Sequence, residues 1–250
     1  MIYLQSKAKF IREEVLRIAL KNKCGHIAPS LSTVEILTTL YYGVMLTNYD
    51  YFILSKAHGC YALYAILADL HLLPQDQWEN FGTDKSELTG CASYKPEWGI
   101  EAGCGSLGHG LPMAVGLAFG LMKQKKESDV FVMVGDGELQ EGSNWEAIEF
   151  AVRHNLDLCI IIDANGLQAM NEIPYTITDI EYRLSEFGCE VIFVDGHDVK
   201  ELYDALRTRN KKLGWPLVYL CRTVKGKGLP CMENEAKFHY RLPGCIVENI

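Results

Sequence analysis

Val130-Phe131-Val132-Met133-Val134-Gly135-Asp136-Gly137 is the stretch whose reading decides the fold. Five apolar residues without polar alternation run straight into a Gly-Asp-Gly turn, the pattern of a short strand covered on both faces. Asn144–His154 then carries helical spacing, and Leu158–Asp163 is a second apolar run that ends just before Asn165. Val191–Val194, a helix from Val199 to about Arg209, and Leu217–Leu220 repeat the theme. Apolar strands alternating with helices predict an α/β fold, a parallel sheet with helices on both faces. Ligands in such sheets sit beyond the carboxyl ends of the strands. Gly135–Gly137 and Asn165 stand at two such ends.

Upstream, Ile11, Val15, Ile18 and Ala19, with Leu16 alongside, recur at helical spacing and predict an amphipathic helix over Ser6–Lys21. Gly25 and Pro29 break the chain. Ser32 with Glu35 three residues on reads as a capping box opening a second helix through about Tyr42. Tyr51–Leu54 is a short apolar run, followed by a polar turn at Ser55–His58 and a helix to Leu70. Residues 74–104 show little periodicity, and a long irregular stretch in a compact domain is more often functional than accidental. Gly110–Lys123 returns to a small-residue helix. Together, residues 1–250 read as one domain.

The formal net charge of −8 argues against nucleic acid as a partner. The basic clusters Lys123–Lys126 and Lys211–Lys212 read as solvated helix ends. No stretch approaches the roughly 20 apolar residues of a membrane span, and residues 1–23 interleave charge with apolar residues, unlike a signal peptide. The cysteines number nine, an odd count, and form no C-x-x-C pair, which argues against a disulfide framework or a zinc site. The expectation is a cytoplasmic protein.

The triplet Gly135-Asp136-Gly137 and Asn165 suggest a cation and phosphate site. Magnesium takes oxygen ligands, commonly one or two from protein together with phosphate oxygens. Asp136 offers a carboxylate, Asn165 an amide oxygen and Leu167 a backbone carbonyl, and glycines let backbone amides approach a phosphate. A second glycine motif, Gly103-Cys104-Gly105-Ser106-Leu107-Gly108, fits the G-x-G-x-x-G pattern. It lacks a preceding strand, and Asp129 begins a strand rather than ending one, so a dinucleotide fingerprint does not follow.

These segments resemble the amino-terminal half of transketolases, and the resemblance runs from about Ile11 to His239. Its carriers, in order, are Cys24-Gly25-His26 with Ser30-Leu31-Ser32, Phe52–His58, Gly105–Leu111, Gly135–Gly142, Asn165–Gln168, Val194–Asp198, Arg222–Gly228 and Phe238-His239. The resemblance implies a thiamine-diphosphate-binding fold of the diphosphate-binding type, with thiamine diphosphate and Mg2+ (Ca2+ or Mn2+ as substitutes). Asp136, Asn165 and the Leu167 carbonyl would hold the metal. Gly135, Gly137, His58 and His239 would lie at the diphosphate, and Gly105, Ser106 and Leu107 at the aminopyrimidine. Glu141 would join a carboxylate network crossing a subunit interface. His26 would line the substrate channel, able to handle protons on a sugar oxygen, so His26, His58 and His239 are the catalytic candidates. His71, His154 and His197 read as structural, and His109 is left unassigned.

Two departures stand out. Where transketolases carry Gly-His-Pro, this chain reads Leu88-Thr89-Gly90-Cys91-Ala92-Ser93, and a thiol cannot reproduce an imidazole's paired donor and acceptor. Ile27-Ala28-Pro29 replaces Pro-Gly-Gly. Both changes are expected to line the substrate channel, which leaves the cofactor expected and the sugar open. The pyrimidine-binding domain is expected on a separate, carboxy-terminal transketolase-like subunit, in an α2β2 assembly. The implied activity is transfer of a two-carbon ketol unit from a phosphorylated or modified ketose to an aldehyde. The alternatives are the α subunit of a 2-oxo-acid decarboxylating thiamine-diphosphate enzyme, or a non-catalytic cofactor- or partner-binding subunit.

Overall fold

The computed structural model describes residues 1–23, 25–208 and 215–242. Cys24, Arg209 and Lys211–Lys212, all used in the sequence reading, lie outside the described residues. The chain opens with α1 (Ile2–Asn22), which buries Ile11, Val15, Ile18 and Ala19 as the spacing predicted. After it come α2 (Ile27–Leu31), α3 (Val34–Thr39), a five-residue π turn at Leu40–Val44, and β1 (Tyr51–Leu54). Next are α4 (Cys60–Asp69), α5 (Gln75–Glu79) and α6 (Gly110–Lys123). Regular alternation follows: β2 (Val130–Gly135), α7 (Gly142–Arg153), β3 (Cys159–Ala164), α8 (Ile177–Glu186), β4 (Glu190–Asp195), α9 (Val199–Arg207) and β5 (Leu217–Arg222).

The described strands form one parallel sheet in the order β1-β2-β3-β5-β4. β2, β3 and β5 are buried along their first five residues, so both faces of the sheet are covered. Right-handed crossovers decide which helices cover which face. The steps β1 to β2, β2 to β3 and β3 to β4 advance in one direction, and α6 packs on α7 and β2. The step from β4 back to β5 reverses direction and sends α9 to the opposite face, where α3 packs on it and α1 packs on α3 and α4.

Three differences from the sequence reading have physical causes. Ser32 is not an N-cap: its hydroxyl lies 2.7 Å from the buried Asp163 carboxylate and 3.0 Å from the Pro29 carbonyl. Glu35 likewise turns away from any capping box to bind Arg12 and, at 2.9 Å, His197 Nδ1. A buried charge in need of partners outcompetes a cap that solvent could replace. The capping box that does form is Thr176 with Asp179, opening α8, a helix the periodicity analysis did not identify. Finally, Cys231 is disulfide-bonded, although the odd count argued against a disulfide framework, while Cys60, Cys91, Cys104, Cys159, Cys189 and Cys221 take part in no disulfide.

Asp163, at the end of β3, joins the elements that build the carboxyl edge of the sheet. It is fully buried and accepts from Ser32, from Thr223 after β5, from Lys56 after β1 and, at 3.3 Å, from Asn165. Burial opposes its ionisation, but the Lys56 charge and these hydrogen bonds outweigh it and hold the carboxyl below the usual range. No helix among the described residues is long and apolar enough to cross a membrane. Lys56→Met strips the counter-charge from Asp163 and should cost about 3–5 kcal/mol in urea unfolding. Adding Asp163→Leu should recover part of that loss, and a single variant as stable as the parent would remove the pair from its structural role.

Candidate active site

A cleft of about 320 Å³ opens at the carboxyl ends of β1, β2, β3 and β5. The loop after each strand contributes: Lys56 and His58 after β1, Asp136–Glu138 after β2, Asn165 and Leu167–Ala169 after β3, and Lys225 after β5. His26, Pro29, Cys91, Gly105, Leu107 and His239 complete it. The structure therefore gathers His26, His58, His239, Gly105, Leu107, Gly135, Asp136, Gly137, Asn165 and Leu167 in one place. Ser106 is exposed between two lining residues, and Glu141 is exposed at the N-cap of α7, so neither lines the cleft.

The cleft floor is built on two buried carboxylates. Glu138 accepts from Ser55 Oγ at 2.6 Å, Gly108 N at 2.9 Å and Gly135 N at 3.2 Å, tying three loops together. Gly110 is required beside it, because a Cβ there would stand 2.6 Å from the Ser55 Cα. Asp136, 2% exposed, accepts from Gly137 N at 2.7 Å and Gly166 N at 2.6 Å. Burial, reinforced by the nearby Asp163 charge, pushes its carboxyl up to about 6. No lysine or arginine pairs with it among the described residues.

A buried carboxylate without a counter-charge fits a bound cation. Asn165 Oδ1, 3.0 Å from the Leu167 amide, and the Leu167 carbonyl sit on the adjoining loop, and each keeps a lone pair for a further partner. A Cβ at Gly105 would meet nothing within 4 Å, and at Gly135 nothing nearer than 3.8 Å, so protein packing does not require glycine at either point. The open space lies toward the cleft, where a ligand could approach the backbone. The donor set is one carboxylate, one amide and one carbonyl, a hard-cation set completed by ligand oxygens.

The three imidazoles form a cluster, with ring centroids 5.6 Å apart for His26–His58, 5.4 Å for His26–His239 and 5.0 Å for His58–His239. Tyr240 closes on His26 from outside at 4.5 Å. Desolvation depresses all three; Lys56 adds to this at His58 and Lys225 at His239, which falls to about 3. All three are neutral at physiological pH. His197 is structural as expected, bridging Glu35 and the Val224 amide, which donates to its Nε2 at 2.8 Å. His154 packs against Phe119 and Phe150.

Lys56, Glu138, Asp163 and Lys225 were not singled out as site residues from sequence. Ser-Lys-Ala-His and Val-Lys-Gly-Lys were visible as segments, but which lysine turns inward depends on packing. Cys91 lines the cleft, half-buried, with its thiol pushed up by burial. The other departure is corrected: Ile27 and Ala28 are fully buried core residues of α2, and Pro29 alone of that triplet reaches the cleft.

A sheet-edge cleft with a hard-cation donor set and Lys225 turned into it fits a diphosphate-bearing cofactor. Residues 5–242 match the family described as transketolase, thiamine diphosphate binding domain. An apulose-4-phosphate transketolase subunit from Actinobacillus succinogenes is 36% identical, over 96% of this chain and 91% of that protein. The 6-deoxy-6-sulfo-D-fructose transketolase subunit of a Clostridium species is 32% identical, over 95% of this chain and 90% of its own. The transketolase of Campylobacter jejuni superposes with a TM-score of 0.87 at 26% identity, covering 96% of this chain and 40% of that one. The chain belongs to the transketolase thiamine diphosphate-binding family.

The neutral imidazoles make stability depend on pH. An unfolded chain protonates these side chains near their ordinary value of about 6.5, whereas folding holds His239 unprotonated down to about 3. The unfolded state therefore takes up protons first, and this contribution to stability is lost as pH falls from about 6.5 toward 3. His239→Gln should flatten that part of the decline in urea midpoints measured across this range. Identical slopes in parent and variant would contradict the depressed value.

Proposed function

We propose that this chain is the amino-terminal subunit of a split transketolase-type transferase, moving a two-carbon ketol unit from a ketose to an aldehyde. The observation that carries the proposal is the joining, in one cleft, of the Asp136–Asn165–Leu167 oxygen set to the His26–His58–His239 cluster. When bound, thiamine diphosphate supplies the carbon–carbon bond chemistry, and the protein supplies binding, orientation and electrostatics. Asp136, Asn165 and the Leu167 carbonyl would hold magnesium, and the buried Lys225 charge would favour a diphosphate beside Gly135, where a Cβ would meet nothing nearer than 3.8 Å. The three neutral imidazoles offer donor and acceptor nitrogens to sugar oxygens without adding charge.

The two relatives described above as transketolase subunits match over nearly their whole length, which supports a separate pyrimidine-domain chain as partner; an assembly of two copies of each is part of the proposal. Glu141, exposed at the start of α7, and the exposed Leu107 and Met113 nearby support a partner-facing surface there. Those relatives are named for apulose 4-phosphate and 6-deoxy-6-sulfofructose, which with Cys91 supports a modified rather than ordinary pentose donor. A thiol at this wall offers only a weak donor where an imidazole would offer both donor and acceptor. Family membership also favours ketol transfer over 2-oxo-acid decarboxylation, and absence of pyruvate turnover by the reconstituted complex is the expected check.

Calorimetric titration of thiamine diphosphate with magnesium, with and without a pyrimidine-domain partner chain, tests the proposal. Weak binding to the lone chain that tightens sharply with the partner is expected, because sites of this type are completed between domains. Asp136→Ala should abolish magnesium-dependent binding while leaving the circular dichroism spectrum unchanged. Absence of binding under both conditions would overturn the cofactor reading, and cofactor binding by Asp136→Ala equal to the parent's would overturn the metal reading.

A further inference from the structure

Lys225 is 2% exposed and reaches the cleft from the loop after β5. Its ammonium lies 2.8 Å from the Gln168 carbonyl, 3.4 Å from the Leu167 carbonyl and 3.0 Å from His239 Nδ1. Among the described residues, no carboxylate is within hydrogen-bond reach. An ammonium has three donors and no acceptor, so each of these three neighbours must present a lone pair. Two of them, being carbonyls, do so always. The third is an imidazole, and it can accept at Nδ1 only if it is neutral with its proton on Nε2.

From this geometry we propose that Lys225 is a positioning residue, fixing His239 as the Nε2–H tautomer so that the opposite ring nitrogen presents a hydrogen-bond donor to an oxygen acceptor bound in the cleft. The role of that donor rests on the function proposed above; the tautomer itself does not. The same ammonium spans the loop after β3 and the segment carrying His239, so one side chain sets both the ring's protonation and its place beside His58. His239 is depressed by burial and by the Lys225 charge, in keeping with a ring that accepts from a cation. His239 is therefore a fixed donor rather than a proton shuttle. His26 is the contrasting case: its Nδ1 is buried with no hydrogen-bond partner, and its ring bonds to the Gly90 backbone rather than to a lysine.

The test is nitrogen-15 NMR of the full chain labelled at histidine, with the His239 signals assigned by their loss in His239→Gln. In the parent, Nδ1 should show the unprotonated shift and Nε2 the protonated one. Lys225→Met removes the donor and should turn His239 into a mixture of both tautomers. Lys225→Arg keeps a side chain with donors and no acceptor and should retain the parent tautomer, a rescue that simple loss of packing would not show. In complex with a pyrimidine-domain partner chain, Lys225→Met should lose about 10- to 100-fold in kcat/KM, the scale seen for partners that orient functional histidines elsewhere. An unchanged thiamine diphosphate affinity in His239→Ala, which keeps Lys225, would place the acceptor on the ketose, and a weakened one would place it on the cofactor. A parent protonated at Nδ1, or a Lys225→Met spectrum identical to the parent's, overturns the proposal. Failure of thiamine diphosphate to bind the parent, with the tautomer as stated, overturns the functional reading instead.

Discussion

The Asp163 carboxylate is the constraint on which the rest of the site depends. A charge with no solvent access costs several kcal/mol unless it is paired and hydrogen-bonded. Asp163 meets that demand with groups from four separate places in the chain: Ser32 near α2, Lys56 after β1, Asn165 after β3 and Thr223 after β5. Satisfying one carboxylate therefore aligns four loops along the carboxyl edge of the sheet. Glu138 does the same on the other side of the cleft, holding the Ser55 hydroxyl and the Gly108 and Gly135 amides. The open floor between these two anchors is where Asp136 stands, held by the Gly137 and Gly166 amides but paired with no lysine or arginine among the described residues.

The electrostatics of the cleft follow from which charges are satisfied internally. The Asp163–Lys56 pair is closed on itself. Asp136 is a carboxylate without a cation, and Lys225 a cation without a carboxylate, and they line the same cleft. Each could have neutralised the other, but Lys225 is instead held by carbonyls and an imidazole. The result is one locus suited to a metal ion and another suited to an anion, side by side, as a metal–diphosphate ligand requires. Burial, reinforced by the Lys56 charge at His58 and the Lys225 charge at His239, keeps these imidazoles neutral, which makes them hydrogen-bonding groups of constant charge across the physiological range.

Periodicity was a sound guide wherever burial is uniform. The strand cores at 130–134 and 217–220 and the buried stripe of α1 came through with boundaries shifted by a few residues. It failed where polar side chains answer to long-range partners. Ser32 and Glu35 have the spacing of a capping box, yet both are drawn to charges that only folding brings near. Thr176 and Asp179 carry an equally legible signal, and they do form the box because no buried charge competes for them.

The amino-acid sequence by itself determined the parallel α/β architecture, the glycine-flanked Asp136 and Asn165 at adjacent strand ends, and the family to which the chain belongs. Those features are local: apolar runs, turn residues and ordered motifs act over a few neighbouring positions. Only the tertiary structure decided that Lys56 is spent on Asp163 while Lys225 is left for the cleft. Folding alone also showed that Ile27 and Ala28 serve the core whereas Cys91 reaches the site, and that Glu141 does not line this chain's cleft. Which of several similar side chains turns inward depends on the desolvation cost of each and on partners more than a hundred residues away, as for Lys56 and Asp163. That information exists only once the sheet has brought its loops together.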